Sequence, residues 1–359
     1  MTSGALPANP FVAAGMIEDP RLFVGRKDEL HAIASRMQGV QPTSINIVGD
    51  KRIGKSSLLY HFFLTWEQRV QEPSRYIVIY LSLRKANCQT ETGFYQEVAN
   101  CWRSRVSKWQ FPLNNPLNPR SWNRQTFSEA IRQWKQQQVL PVVCFDDFES
   151  LFDYPQEFND GFYDNLRSLI EDNALMLVVA SRKSLKVYGG EYRFVSSFFN
   201  IAHCISLAEL TTDEAIQLTR LPTGSTHGAA LSPDEQNYVQ QWGQRHPYKL
   251  QLAGSCLWEA RQTGKPIKWA KQQFDQQIDV PPSEKQQWKW RSWLYFIFVA
   301  VPKRLGNFTK LIGVTVDDVS SWIIGTAIVV MFVLVLMRVL DWSQVWDFVR
   351  DQLGISSDE

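Results

Sequence analysis

The sequence has little of what marks a secreted or metal-stapled protein. Its five cysteines, Cys88, Cys101, Cys144, Cys204 and Cys256, are odd in number, widely scattered and never spaced as C-x-x-C. That argues against a disulfide framework and a cysteine zinc site, and suits a reducing compartment. Net charge is also nearly missing: 38 Lys and Arg stand against 36 Asp and Glu, a formal +2. Bulk electrostatics therefore demands no nucleic-acid partner, and any basic surface must be local. The stretch MTSGALPANPFVAAG has no basic n-region and no long apolar core, so it does not read as a secretory signal. No repeat of solenoid or propeller period occurs. What is present, 44% hydrophobic and 21% charged residues, is the composition of a chain that packs a core.

Periodicity supplies the first elements. A helical pattern over Lys27 to Met37 leads into the β-branched run Ile45-Asn46-Ile47-Val48, which predicts a buried strand. From Ser56 the residues Leu58, Leu59, Phe62, Phe63 and Trp66 recur at helical spacing, and Tyr76 to Leu81 predicts the next strand, completing a βαβ unit. Further strands are predicted at Val142 to Phe145, Leu175 to Val179 and Cys204 to Leu207. Continuous apolar strands alternating with helices imply an α/β fold, a parallel sheet with helices on both faces. The proline- and asparagine-rich segment Phe111 to Asn123 predicts a loop or insertion. After Leu207 the pattern turns helical, opening on the capping-box signature Thr211-x-x-Glu214 and continuing through Pro247 to Ala260 and on to about Phe274.

The chemistry-bearing motif is Gly49-Asp50-Lys51-Arg52-Ile53-Gly54-Lys55-Ser56, which fits the P-loop pattern at every fixed position. Glycines let backbone N–H groups curl around a β-phosphate, and the helix starting here adds the positive end of its dipole. Lys55 is placed to reach the β- and γ-phosphates, the Ser56 hydroxyl to ligate Mg²⁺, and Ser57 completes the predicted nucleotide contacts. The expected cofactors are ATP and Mg²⁺. A carboxylate is also needed at the end of a neighbouring buried strand, and Val142-Val143-Cys144-Phe145-Asp146-Asp147 supplies it, with Asp146 as the magnesium ligand. The residue that orients the attacking water is open between Asp147 and Glu149. The shorter Asp147 side chain, where a glutamate is common, points to a slow or regulated hydrolase. Arg182, after the strand Leu175 to Val179, is placed either to read the γ-phosphate or on a solvated loop.

With these residues in hand, the chain resembles the AAA+-like ATPases of the STAND and archaeal-ATPase type over approximately Asn9 to Trp269. The resemblance rests on Asn9-Pro10-Phe11, on Phe23-Val24-Gly25-Arg26-Lys27-Asp28-Glu29-Leu30, and on the P-loop, Asp146-Asp147, Ser181-Arg182 and His246-Pro247-Tyr248. It implies an adenine pocket lined by Val24, Gly25 and Arg26, and a lid proline near the nucleotide, Pro247. The family's Gly-x-Pro is matched imperfectly, its glycine falling at position 243. The sequence after the lid shows no clear winged-helix pattern and no sensing repeat array, so autoinhibition and signalling as in full STAND proteins cannot simply be carried over.

One long apolar run closes the reading. About nineteen uncharged residues lie between Asp318 and Arg338, and at about 1.5 Å per residue they match a hydrocarbon core of roughly 30 Å. Upstream, Trp293 to Val301 is shorter and flanked by basic residues, and Trp288, Trp290, Trp293 and Tyr295 suit an interfacial helix. A second span there would put Lys303 and Arg304 outside, against the positive-inside rule. The expected organisation is an arm over 1–20, a P-loop core over 21–207, a helical lid over 208–275 and a juxtamembrane linker over 276–318. A single transmembrane helix over 319–340 and an amphipathic tail over 341–359 follow, with the ATPase facing the cytoplasm. Expected partners are ATP, membrane lipid, and either further copies of the chain or a membrane protein; nucleic acid is disfavoured for want of a recognition helix or basic run. Three functions fit: an ATPase whose nucleotide state controls assembly or a membrane partner, an ATP-gated scaffold with little hydrolysis, and a membrane-perturbing effector of defence or cell death.

Overall fold

A computed structural model describes residues 8–109, 121–223 and 228–279. The expected linker from 280, the transmembrane helix over 319–340 and the tail lie outside the described residues, as does most of the predicted Phe111 to Asn123 loop. Among the described residues, no helix is long and apolar enough to cross a membrane.

The frame is a parallel sheet of five strands: β1 (Ile45–Val48), β2 (Tyr76–Ser82), β3 (Leu140–Asp146), β4 (Met176–Ser181) and β5 (His203–Ser206). Their spatial order is β2-β3-β4-β1-β5, so β1 lies near the middle although it comes first in the chain. The register sets the strand ends side by side: Ser82 opposite Asp146, and Val48 opposite both Ser181 and Ser206. Five polar or loop-forming ends thus share one edge, where parallel α/β sheets hold ligands.

Alternation along the strands divides the core. Ile77, Ile79, Leu81, Val143, Phe145, Leu177 and Val179 face one way, against an aromatic cluster that includes Phe94, Trp102, Trp134 and Phe162. These four come from α3 (Glu91–Trp109), α4 (Arg124–Gln136) and α5 (Asp160–Glu171). Val78, Val142, Cys144, Met176, Val178 and Ala180 face the other way with Ile45 and Ile47. There they meet Leu30 and Ile33 of α1 (Lys27–Met37) and Leu58, Leu59 and Phe62 of α2 (Lys55–Thr65). Period-2 side chains on both faces require apolar cover on both, which is why these strands read as unbroken hydrophobic runs. Asn46 is the exception inside β1. It is buried, and its Nδ2 donates to Ser181 Oγ at 2.8 Å while its Oδ1 accepts Leu185 N–H at 2.9 Å, tying β1 to the loop after β4.

Past β4 comes α6 (Leu185–Tyr192), and past β5 four helices form the lid: α7 (Thr212–Thr219), α8 (Pro233–Gly243), α9 (Pro247–Gln262) and α10 (Ile267–Asp279). The predicted capping box is present at α7, where Thr211 and Glu214 satisfy each other's backbone N–H groups. A second one, Ser232 with Glu235, starts α8, a helix the periodicity did not single out. The lid core gathers Leu218, Leu250, Leu257 and Phe274, and also Phe11 from the arm. Several boundaries differ from expectation: Trp66 belongs to a short 3-10 turn that follows α2, β3 extends beyond the predicted Val142 to Phe145 at both ends, β4 runs two residues past Val179, and β5 lies one residue earlier than predicted.

Candidate functional site

The P-loop joins β1 to α2. Gly54, at φ +99°, precedes Lys55, the first residue of α2, so the chain enters the helix through a left-handed residue that glycine tolerates. Gly49, at φ +154°, lies so near Leu207 that a Cβ would stand 2.9 Å from its carbonyl oxygen. Arg52 is also left-handed, at φ 65°, and its guanidinium lies 4.1 Å over the ring of Tyr248 at the start of α9, a cation–π contact between P-loop and lid.

Around this loop opens a cleft of about 780 Å³. Its walls include Lys51, Arg52, Ile53, Gly54, Lys55, Ser56 and Ser57 of the P-loop, Asp146, Asp147 and Glu149 after β3, and Ser181 and Arg182 after β4. Val24, Arg26, Pro247 and arm residues Val12 to Ile17 also line it. The predicted residues from five separate chain segments are therefore brought to one cavity. Gly49 and Asp50 contribute differently: their carbonyls accept from Lys55 Nζ at 2.7 and 2.8 Å. Burial lowers the Lys55 pKa, while the charges of Glu149 and then Asp146 oppose that most. A half-desolvated ammonium at a helix start is suited to an anion.

Asp146 is buried and fully engaged. Its Oδ1 accepts from Ser56 Oγ at 3.1 Å and from Asp147 N–H at 3.0 Å, and its Oδ2 accepts from Tyr80 Oη at 2.9 Å. The P-loop hydroxyl and the strand-end carboxylate are thus in direct contact, two adjacent oxygen donors of the kind a hard cation takes. The fit to Mg²⁺ rests on this pair. Tyr80 itself is held in its neutral form by burial and by the Asp146 charge beside it.

The two candidate bases are each held by an arginine. Asp147 sits in the left-handed region at φ 53° and pairs with Arg84 at 2.9 Å, and Glu149 pairs with Arg182 Nε at 3.4 Å. Burial, reinforced by the Asp146 charge, pushes the Asp147 carboxyl up to about 6 against the pull of Arg84. Burial also raises Glu149. Arg84, Lys85 and Tyr80 line the cleft without having been singled out from the sequence as site residues, because only the folded sheet brings the end of β2 and the loop after it beside Asp146.

Of the segment expected at an adenine pocket, Val24 and Arg26 line the cleft, and Gly25 and Arg26 also form a joint. A Cβ on Gly25 would lie 2.4 Å from Glu214 Oε1, and the Arg26 N–H donates to that same oxygen at 2.6 Å. The Arg26 guanidinium is buried and donates to the Ala208 carbonyl at 2.6 Å and the Ile53 carbonyl at 3.4 Å. It connects P-loop, lid entry and α1. Glu214 is held below its ordinary pKa: these hydrogen bonds, led by those with the Thr211 and Arg26 backbone, outweigh its burial.

The arm closes the remaining wall. Asn9 Nδ2 donates to Ser255 Oγ at 2.9 Å, Val12 N–H to Gln251 Oε1 at 2.9 Å, and Ile17 N–H to Ser57 Oγ at 3.1 Å. It therefore runs from α9 to the first turn of α2.

Comparisons with known proteins agree with this architecture. Residues 13–273, more than two thirds of the chain, match the family model described as Novel STAND NTPase 1. No curated protein sequence matches the chain. Among solved structures, the Walker-type ATPase PABY2304 of Pyrococcus abyssi is similar at 15% identity and a TM-score of 0.54, over 84% of this chain and 89% of that one. The ORC2 protein of Aeropyrum pernix, solved in ADPNP and ADP complexes, is similar at 13% identity and TM-score 0.54, over 94% of this chain and 90% of that one. At these identities the likeness is one of fold. The expectation against a nucleic-acid partner gains no support from it. The chain is a P-loop, AAA+-like NTPase and belongs to the Novel STAND NTPase 1 family.

Proposed function

We propose that this chain is a membrane-anchored ATP switch: it binds ATP with Mg²⁺ in the cleft, hydrolyses it slowly, and changes its self-association with nucleotide state. The observation that carries the reading is the contact between Ser56 Oγ and Asp146 Oδ1 at 3.1 Å, which unites the P-loop with the strand-end carboxylate. The charge of the cleft supports it. Arg26, Lys51, Arg52, Lys55, Arg84, Lys85 and Arg182 outnumber Asp146, Asp147 and Glu149, so the lining favours a polyanion.

In this reading Lys55 leaves the Gly49 and Asp50 carbonyls for phosphate oxygens, and the backbone N–H groups after Gly54 donate to them. Ser56 and Asp146 hold Mg²⁺, which supplies charge neutralisation on the phosphates when bound. Glu149 orients the attacking water. It is preferred over Asp147 because its ion pair, with Arg182 at 3.4 Å, is the longer of the two, against 2.9 Å for Asp147 with Arg84. Both acids begin in ion pairs with arginines, which must be redirected before either can take a proton from water. That requirement makes hydrolysis slow and open to regulation.

The membrane part rests on the uncharged stretch between Asp318 and Arg338, which lies outside the described residues. A lid held to the P-loop by Arg52 over Tyr248 is a route by which phosphate binding alters the protein's outer surface. The test uses the full chain in detergent and in liposomes, with ATP, with ADP and without nucleotide. Light scattering is expected to give a larger assembly with ATP than with ADP, and flotation to place the chain with lipid in all three states. A mass independent of nucleotide would remove the switch, and failure to float would remove the anchor.

A further inference from the structure

Gln251 lies one turn into α9, four residues after Pro247 and so on the same helical face, and it lines the nucleotide cleft. It is only 4% exposed. Which end of its amide is which follows from the arm: Val12 N–H points at the side chain at 2.9 Å and requires an acceptor, so the carbonyl oxygen faces Val12 and the NH₂ group faces away. That arrangement is held in place, because Phe11 packs so tightly against α9 that a Cβ on Gly254 would lie 2.4 Å from its ring, and Asn9 bonds Ser255. The remaining group, Gln251 Nε2, is buried and finds no hydrogen-bond partner among the described residues.

A buried amide NH₂ without an acceptor is costly and calls for a partner from outside the protein, and Gln251, unlike Trp102, Tyr163 or Asn165, lines the cleft where a ligand would supply one. Its surroundings indicate what kind of ligand. Val24, Leu210 and Leu218, which also line the cleft, belong to or pack against the apolar lid cluster, and Pro247 stands a turn away. Apolar walls with one convergent donor suit a flat aromatic heterocycle with a ring acceptor, whereas the phosphate end of the same cleft is lined by Lys51, Arg52 and Lys55.

We infer that Gln251 is the base-reading residue of this cleft, its Nε2 donating a hydrogen bond to a ring nitrogen of adenine. The inference rests on the proposed ATP site and adds to it a determinant of base specificity. Val12 is then a positioning residue: its backbone fixes the orientation of the amide, and so couples the seating of the arm to recognition of the base.

The test is equilibrium binding of Mg-ATP and of its 1-deaza, 3-deaza and 7-deaza adenine analogues to the full chain, comparing wild type with Gln251→Met and Gln251→Leu. Replacing a ring nitrogen by C–H leaves a site's buried donor unpaired, so wild type is expected to bind one analogue about tenfold more weakly than ATP and the other two within about twofold. In the variants that one penalty disappears, and the analogue and ATP bind alike. A purely structural role for Gln251 would weaken all four ligands together and leave the penalty in place, which overturns the inference. So does a wild-type series in which all three analogues match ATP, a result that needs no variant to fold. Wild type binding ATP with a flat series removes only the role of Gln251; wild type binding no nucleoside triphosphate removes the ATP site with it.

Discussion

Ser56 Oγ and Asp146 Oδ1 meet at 3.1 Å although 90 residues separate them in the chain. The contact exists because β1 and β3 flank β4 in one parallel sheet, which brings the P-loop and the end of β3 to the same edge. Magnesium dependence should follow from it. In Asp146→Asn, ATP affinity is expected to become insensitive to Mg²⁺, and turnover to fall by about two orders of magnitude. Isotherms recorded with Mg²⁺ and with chelator check this; an unchanged Mg²⁺ effect would assign the carboxylate a structural role only.

The two acids after β3 are separable by their kinetics. Glu149→Gln should lower kcat by about 100-fold or more with little change in ATP affinity, as loss of a positioned base does. Asp147→Asn should cost less than about tenfold, since its carboxylate is engaged by Arg84. Single-turnover phosphate release measures both, and the opposite ranking would move the base to Asp147.

The arm contributes stability as well as a wall of the cleft. Phe11 is 4% exposed within the lid core, so Phe11→Ala should destabilise the protein by about 3–5 kcal/mol. Gly254→Val should displace the same ring by filling its seat. Denaturant unfolding reads the loss; a change under about 1 kcal/mol for both variants would mean that the arm is not seated on α9 in solution.

A pH effect is expected at His61, whose ring stacks on Phe23 with centroids 4.1 Å apart and whose buried Nδ1 finds no hydrogen-bond partner among the described residues. Burial first, and the nearby Arg69 charge second, push its pKa down to about 4 from 6.5. The folded state therefore favours the neutral ring. Its contribution is present above pH 6.5 and is lost as pH falls toward about 4, because the unfolded chain binds the proton first. His61→Phe, which keeps a stacked ring, should flatten the decline of stability across that window. Parallel curves for variant and wild type would show that His61 does not contribute.

Much of the frame was legible because its signals are local. The run Ile45 to Val48, the P-loop, the helix after it and the Thr211 capping box each declare themselves within a few residues, and the structure carries an element at each. Burial on both faces made the strands easy to recognise and also explains why they carry no sign of their order: β4 inserts between β3 and β1 through contacts remote in sequence. The same limit applies at the site. Tyr80, Arg84 and Gln251 are ordinary strand, loop and helix residues until the fold sets them beside Asp146, Asp147 and the arm, the last from 239 residues away. The Val24-Gly25-Arg26 segment shows a different limit: Val24 and Arg26 line the cleft, while the joint that Gly25 and Arg26 make between α1 and the lid through Glu214 left no sign in the sequence.

The most direct measurement is a calorimetric titration of the full chain with Mg-ATP, wild type against Lys55→Ala, with thermal unfolding to show that both are folded. Among the described residues, Lys55 is the one cleft lysine bound to the P-loop's own carbonyls, and its charge-assisted bonds are the ones that phosphate would take over. The account predicts one nucleotide per wild-type chain and an affinity at least about tenfold weaker in the variant. Equal affinity in the two proteins, or no binding by a folded wild type, would contradict it.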